Sequence, residues 1–312
     1  MRERRFGDGI SSAFSVPRAG VFAGTLVAAP LAGCSGVLDP RGPIGISERL
    51  ILFDSLTIML AIVVPVVLAI IGFAWWFRSS NPRAFYWPEW EFSGHLELIV
   101  WSVPALVVTF LGGIAWFGSH AVDPFKPLEG TVKPVEIEVV SLDWKWLFIY
   151  PEEGVASVNL LAIPAGAPVH FRLTSSGVMN SFFVPQLGSQ IYTMAGMTSQ
   201  LSLQADEPGT YAGLSAQFSG RGFPGMRFDA RALPADAYSK WIADAKASGE
   251  ALDRNSYGEL VKPSENSSPT TYRSVESGLF EAIVNGTAPE APAASYLPGT
   301  KGAAPSTTGG GS

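Results

Sequence analysis

Hydrophobic residues crowd the first 120 positions in unbroken runs and then give way to short alternating stretches. The first long run, from about Ile46 to Phe77, contains Leu56-Thr-Ile-Met-Leu-Ala-Ile-Val-Val-Pro-Val-Val-Leu-Ala-Ile-Ile71 and ends in Trp75-Trp-Phe77. A second covers about Leu96 to Phe117. Each is long enough to cross a hydrocarbon core of about 30 Å as a helix. Pro65 is expected to kink the first, which neighbouring helices tolerate. The texture changes at Val135. Val135-Glu-Ile-Glu-Val-Val140, Val169-His-Phe-Arg-Leu-Thr174 and Gln200-Leu-Ser-Leu-Gln204 alternate, and Trp144 to Tyr150 is rich in aromatics. Turn signals fall at Pro151-Glu-Glu-Gly154, Pro164-Ala-Gly166 and Glu207-Pro-Gly209. Short strands punctuated in this way predict a β-sandwich or barrel.

Beyond it, Asp236 to Lys246 places Tyr238, Trp241, Ile242 and Ala245 on one helical face. A further short helix is expected through Tyr272, Leu279, Phe280 and Ile283. The organisation read from these patterns is a membrane hairpin over 34–120, an exported β domain over 121–234 and a helical arm over 235–285. Residues 286–312 are mostly Ala, Pro, Gly, Ser and Thr, so they are expected to be disordered.

Orientation follows from the flanks of the spans. Trp75, Trp76, Trp87, Trp90 and Trp116 lie near the ends, where interfacial tryptophans belong. Arg78 and Arg83 favour a cytoplasmic hairpin loop, and Glu89 and Glu91 count for little in that rule. Both outer ends then face outward. The extreme start agrees: Arg2, Arg4 and Arg5 precede an apolar run, Val21 to Gly33, which closes in Leu31-Ala-Gly-Cys34. That is the layout of an export signal over residues 1–33. Cys34 after Leu-Ala-Gly resembles a bacterial lipoprotein box and is the expected lipidation site. The bland alternative is a lone buried cysteine in an apolar segment.

Of the 312 residues, 47 % are hydrophobic and the formal net charge is −6. One cysteine excludes a disulfide framework. Acidic residues outnumber basic ones after position 120, which makes a nucleic-acid partner unfavourable. No Gly-x-Ser-x-Gly elbow, phosphate loop or His-Glu-x-x-His motif is present. His170 alternates with apolar neighbours and reads as structural, and His95 as a surface residue.

One loop carries the chemistry that remains, Tyr211-Ala-Gly-Leu-Ser-Ala-Gln-Phe-Ser-Gly-Arg-Gly-Phe-Pro-Gly-Met226. It lies between two strand-like runs. Together with Asp143-Trp-Lys-Trp-Leu-Phe-Ile-Tyr-Pro151, Val178-Met-Asn-Ser-Phe-Phe-Val-Pro185, Leu187-Gly-Ser-Gln-Ile-Tyr192, Met194-Ala-Gly-Met197 and Glu207-Pro-Gly-Thr-Tyr211, it resembles subunit II of the haem-copper respiratory oxidases. The resemblance is to the quinol-oxidising branch (cytochrome bo or ba type) and runs from about residue 31 to 285. It implies a two-helix transmembrane hairpin followed by an all-β, cupredoxin-like Greek-key sandwich and a short helical carboxy-terminal arm.

Copper-bearing relatives would have His at Asn180, Cys at Ser215 and Ser219, Glu at Gln217 (ligating through its carbonyl) and His at Phe223. Only Met226 keeps a ligand's identity. A serine hydroxyl is not ionised near neutral pH and a phenyl ring has no lone pair, so this set cannot supply the soft donors that copper takes. The resemblance therefore implies no cofactor in this chain. Haems and copper are expected in a catalytic subunit I, with small membrane subunits as further partners and ubiquinol reaching the complex through the bilayer of the bacterial inner membrane.

Glu97-x-x-x-Trp101-Ser-x-Pro104 resembles the family's second helix, where the glutamate lies near the mouth of a proton pathway. An ionisable side chain at membrane depth is a functional candidate by default; the alternative is an interfacial carboxylate facing cytoplasmic water. Trp101 is expected at a subunit interface. Trp144 and Trp146 are expected to pack in the sandwich or at that interface, there being no metal for them to serve. Two rivals remain: a stand-alone membrane-anchored cupredoxin-like lipoprotein, and a cytochrome c oxidase subunit, which Asn180, Ser215, Ser219 and Phe223 argue against.

Overall fold

The computed structural model describes residues 35–85, 87–128, 132–247 and 249–289. The expected export signal over residues 1–33, Cys34 and the tail from residue 290 lie outside the described residues. Helix α1 (Pro43–Trp76, 34 residues) opens with proline at its first position, where the missing N–H costs nothing. It continues through Pro65, and helix α2 (Gly94–Ala121, 28 residues) continues through Pro104. Both are long and apolar enough to cross a membrane, and their most apolar windows are wholly unburied by the rest of the chain. The two lean together at the ends that join the β domain, where a Cβ on Gly118 would lie 2.9 Å from the Ile51 side chain.

The β domain is a two-sheet sandwich. Its strands are β1 (Val135–Leu142), β2 (Lys145–Tyr150), β3 (Val155–Val158), β4 (Leu160–Pro164), β5 (Val169–Ser175) and β6 (Asn180–Phe183). They continue as β7 (Ile191–Thr193), β8 (Ser199–Leu203), β9 (Gly209–Ser215), β10 (Arg227–Leu233), β11 (Glu250–Leu252) and β12 (Thr270–Val275). One sheet has the order β11-β12-β3-β2-β1-β5-β8 and the other β4-β10-β9-β6-β7. β1 runs parallel to β5, and β4 to β10, so the chain crosses between the sheets instead of folding back in simple hairpins. This is the expected cupredoxin-like architecture. Between the sheets, Trp146, Phe148, Phe171, Phe182 and Phe228 form an aromatic core, with Phe182 and Phe228 stacked at 5.2 Å.

The arm differs from expectation in content. Helix α3 (Ala235–Ala247) buries Tyr238, Ile242 and Ala245, as the periodicity predicts. Helices α4 (Arg254–Leu260) and α5 (Leu279–Val284) follow, but between and before them the arm adds β11 and β12 to the edge of the first sheet. Tyr272 lies on β12 and not on the last helix. Strands this short and partly exposed leave no periodic signal, so only their pairing partners reveal them.

The arm then covers the outer face of that sheet. Val140, Leu142, Leu147, Ile149, Ala156 and Val158 are buried beneath Leu252, Tyr257, Leu279, Phe280 and Ile283. A strand covered on both faces reads as a continuous apolar run, which is why all six residues of β2 are buried. Packing continues past the expected boundary at 285: the Thr287 amide donates to the Ala282 carbonyl at 2.8 Å, and Ala288 is buried.

The membrane hairpin is seated on the sandwich by backbone bonds. The amides of Arg41 and Gly45 donate to the carbonyls of Gln186 (2.7 Å) and Leu187 (3.1 Å), and the Asp206 amide donates to the Arg41 carbonyl (2.8 Å). The Ser189 amide donates to Glu48 Oε1 at 3.0 Å.

Candidate functional site

β9 ends at Ser215, so the connection to β10 is residues 216–226. Antiparallel pairing sets Phe182 of β6 opposite Ser215, which brings neighbouring Asn180 to the same end of the sheet. The Ser215 amide donates to the Met226 carbonyl at 3.1 Å and closes the loop's base. Buried Ser215 donates through Oγ to Asn180 Oδ1 and to the Gln217 carbonyl, both at 3.2 Å. Ser219 Oγ donates to Met226 Sδ at 3.8 Å, a weak contact.

Five of the six positions that the resemblance matches to copper ligands, Asn180, Ser215, Gln217, Ser219 and Met226, thus converge in one small polar knot. Phe223 departs from it, its half-buried ring standing edge-on to the exposed ring of Phe218 at 5.6 Å. The donor set is hydroxyl, amide, carbonyl and thioether. It does not fit copper, because the single soft donor is the weakest kind. Among the described residues, no group of three or more His, Cys, Asp or Glu side chains gathers anywhere.

Beneath the loop sits Trp144, in the two-residue turn between paired Leu142 and Lys145. Its φ of 63° is an uncommon conformation for a bulky residue. Two contacts hold it there. Its Nε1 donates to the Ser219 carbonyl at 2.9 Å, and its ring lies against Gly222, where a Cβ would come within 2.4 Å. Trp146 lies wholly in the inter-sheet core, edge-on to Phe182 and Phe228, and its Nε1 finds no partner among the described residues.

Lys145, between the two tryptophans, is the residue that sequence reasoning passed over. Only 2 % of it is exposed, and its Nζ donates to the Lys262 carbonyl (2.7 Å) and Ser264 Oγ (2.5 Å). Burial pushes its ammonium down to about 8, against a smaller upward pull from Asp143. A lysine inside an aromatic strand was the available signal, since a charge there has to find buried acceptors.

In the membrane half, Glu97 lies in the first turn of α2 with its side chain exposed and its amide bonded to the Ser93 carbonyl at 2.9 Å. Trp101, one turn on and so on the same helical face, is 73 % exposed. His170, half-buried on β5, lies 3.2 Å from Ser202 Oγ.

Comparison with known proteins agrees with this layout. The family model described as "Cytochrome C oxidase subunit II, periplasmic domain" matches residues 136–230, and "COX Aromatic Rich Motif" matches residues 246–287, the arm. The chain is 49 % identical over 255 residues to the cytochrome bo(3) ubiquinol oxidase subunit 2 of Pseudomonas aeruginosa, covering 81 % of this chain and 77 % of that one. It is also 49 % identical over 258 residues to the ubiquinol oxidase subunit 2 of Acetobacter aceti, covering 81 % and 83 %. Against the quinol oxidase subunit 2 of Bacillus cereus it is 39 % identical over 237 residues, covering 75 % and 81 %. With identity at this level over most of its length, the chain belongs to the subunit 2 family of the quinol oxidases.

Proposed function

We propose that this chain is a membrane-anchored subunit, without a redox centre of its own, of a proton-pumping ubiquinol oxidase. The holoenzyme oxidises ubiquinol and reduces oxygen to water. Its haems and copper belong to a catalytic partner subunit, beside further small membrane subunits. The observation that carries this reading is the polar knot at Asn180, Ser215, Gln217, Ser219 and Met226, which keeps a metal loop's place in the sandwich with donors that do not suit copper. Electrons delivered by a lipid-soluble quinol enter from within the bilayer and need no external relay. The chain's part is to dock and brace the partner, with the unburied faces of α1 and α2 and exposed Trp101 as the membrane contact. In this reading the hairpin loop is cytoplasmic, the sandwich is periplasmic, the membrane is the bacterial inner membrane, and Cys34 is the lipidated start of the mature chain.

The test is to purify the full chain from detergent-solubilised membranes. Haem-containing partners and ubiquinol-driven oxygen uptake should accompany it, with no visible copper band assignable to this chain. A chain that purifies alone points to a free-standing lipoprotein. A copper centre traced to it overturns the assignment.

Glu97 is assigned a role in proton access from the cytoplasmic side, since its carboxylate lies exposed at the start of a span on the same face as Trp101. Glu97→Gln in the assembled complex should slow turnover by about tenfold or more, within the range of proton-transfer steps, while haem content stays normal. Unchanged turnover over pH 6 to 9 would remove Glu97 from the mechanism.

A further inference from the structure

The connection over residues 216–226 carries glycine at 220, 222 and 225, and glycine loses more backbone freedom on ordering than any other residue. No metal cross-link suits its donors. It nevertheless follows one defined path, held from below by the β1–β2 turn and from the side by the carboxy-terminal arm. We propose that the arm's turn, residues 262–268, is the clamp that holds this loop, with Lys145 as the positioning residue that ties the two together. The proposal does not depend on which electron donor the complex uses.

Four consecutive residues of the turn take part. Ser264 accepts from Lys145 Nζ at 2.5 Å, and the preceding Lys262 carbonyl accepts from it at 2.7 Å. Glu265 accepts from Arg221 Nε at 2.9 Å, bridging arm and loop directly. Asn266, held at a φ of 52°, lies against Gly225, where a Cβ would come within 2.5 Å of Asn266 Oδ1. The Ser267 carbonyl accepts from Asn159 Nδ2 at 2.8 Å, and the Asn159 carbonyl in turn accepts from the Asp229 amide at 3.2 Å, just beyond the loop's exit into β10. Ser264 and Ser267 are linked by their own hydroxyls at 2.7 Å, which braces the turn.

The β1–β2 turn is the common anchor for both partners. Trp144 secures the loop from below through the Ser219 carbonyl, and the next residue, Lys145, secures the arm. Of these contacts the Arg221–Glu265 pair is solvent-exposed and contributes little. The Lys145 bonds are part-buried and charge-assisted, so they count for more. Removing them should free the arm's turn, and the loop should lose its side support at the same moment.

Hydrogen–deuterium exchange on the full chain within its purified membrane complex reads this directly. In Lys145→Met, amides in 216–226 and 262–268 should exchange together about tenfold faster or more, as one local unfolding unit. Amides of β4 and α3 should be unaffected. Acceleration of 262–268 with an unchanged loop overturns the proposal, and so does acceleration spread evenly over the domain or none at all. If Lys145→Met does not accumulate, Ser264→Ala leaves Lys145 its bond to the Lys262 carbonyl and permits the same comparison. Joint acceleration of the two segments supports the clamp, and a loop indifferent to the turn overturns it.

Discussion

Phe280→Ala should lower the unfolding free energy of the β domain by about 3–5 kcal/mol, the usual cost of emptying a buried aromatic site. Phe280 is buried on α5 against the outer face of the first sheet, in the cluster that contains Leu147 and Ile149. Its ring also carries the Arg172 guanidinium at 4.9 Å. That guanidinium bridges Glu138 at 2.9 Å on the sheet and Glu281 at 2.6 Å on the arm. Burial raises the Glu138 carboxyl above the usual carboxylate range, and Arg172 draws it back toward ionisation. Losing the ring therefore leaves a cavity and loosens the ion bridge that depends on the ring's position. Chemical unfolding followed by tryptophan fluorescence would measure the effect, with Phe280→Leu as a milder control at about 1.5 kcal/mol or less. A loss below about 1 kcal/mol for the alanine variant would mean that the arm does not hold this sheet face.

Gly42→Ala should be comparably damaging at the other end of the domain. Gly42 precedes α1, and a Cβ there would lie 2.0 Å from the Gln204 carbonyl oxygen and 3.2 Å from its carbon. The obstacle is backbone, so no rotamer change relieves it. The chain on either side is pinned by the bonds from Arg41 to Gln186, Gly45 to Leu187 and Asp206 to Arg41. Overpacking together with the loss of two or three of these bonds amounts to about 3–5 kcal/mol. The hairpin would then lose its fixed seat on the sandwich. Native gels of detergent extracts should show the chain present but the assembled complex reduced severalfold. Normal assembly would show that the seat is dispensable.

Much of this architecture is written in local patterns. The spans announce themselves because a lipid environment demands long uninterrupted apolar runs. Alternation at Val135–Val140 and Val169–Thr174 was sufficient to place β1 and β5, since a strand with unlike faces must alternate. Tyr238, Ile242 and Ala245 marked the buried stripe of α3 for the corresponding helical reason. Residue identity alone also argued against copper in the loop over residues 216–226, because coordination depends on donor atoms before it depends on geometry.

Other features were invisible for equally physical reasons. β11 and β12 are strands only because β3 offers a free edge, and pairing of that kind is non-local. Lys145 looked like an ordinary charge in an aromatic segment until its acceptors, more than a hundred positions away, came into contact with it. The same holds for Gly42, whose need to be glycine is set by a carbonyl on a distant turn.

By itself, then, the order of residues determined that this protein enters a membrane twice, carries a β-sandwich outside it and lacks copper's donors. Those properties are additive over neighbouring side chains. Which surfaces the arm covers, what braces the loop over residues 216–226 and how the helices are seated were decided only by tertiary structure, because each rests on groups far apart in the chain being brought within a few ångströms.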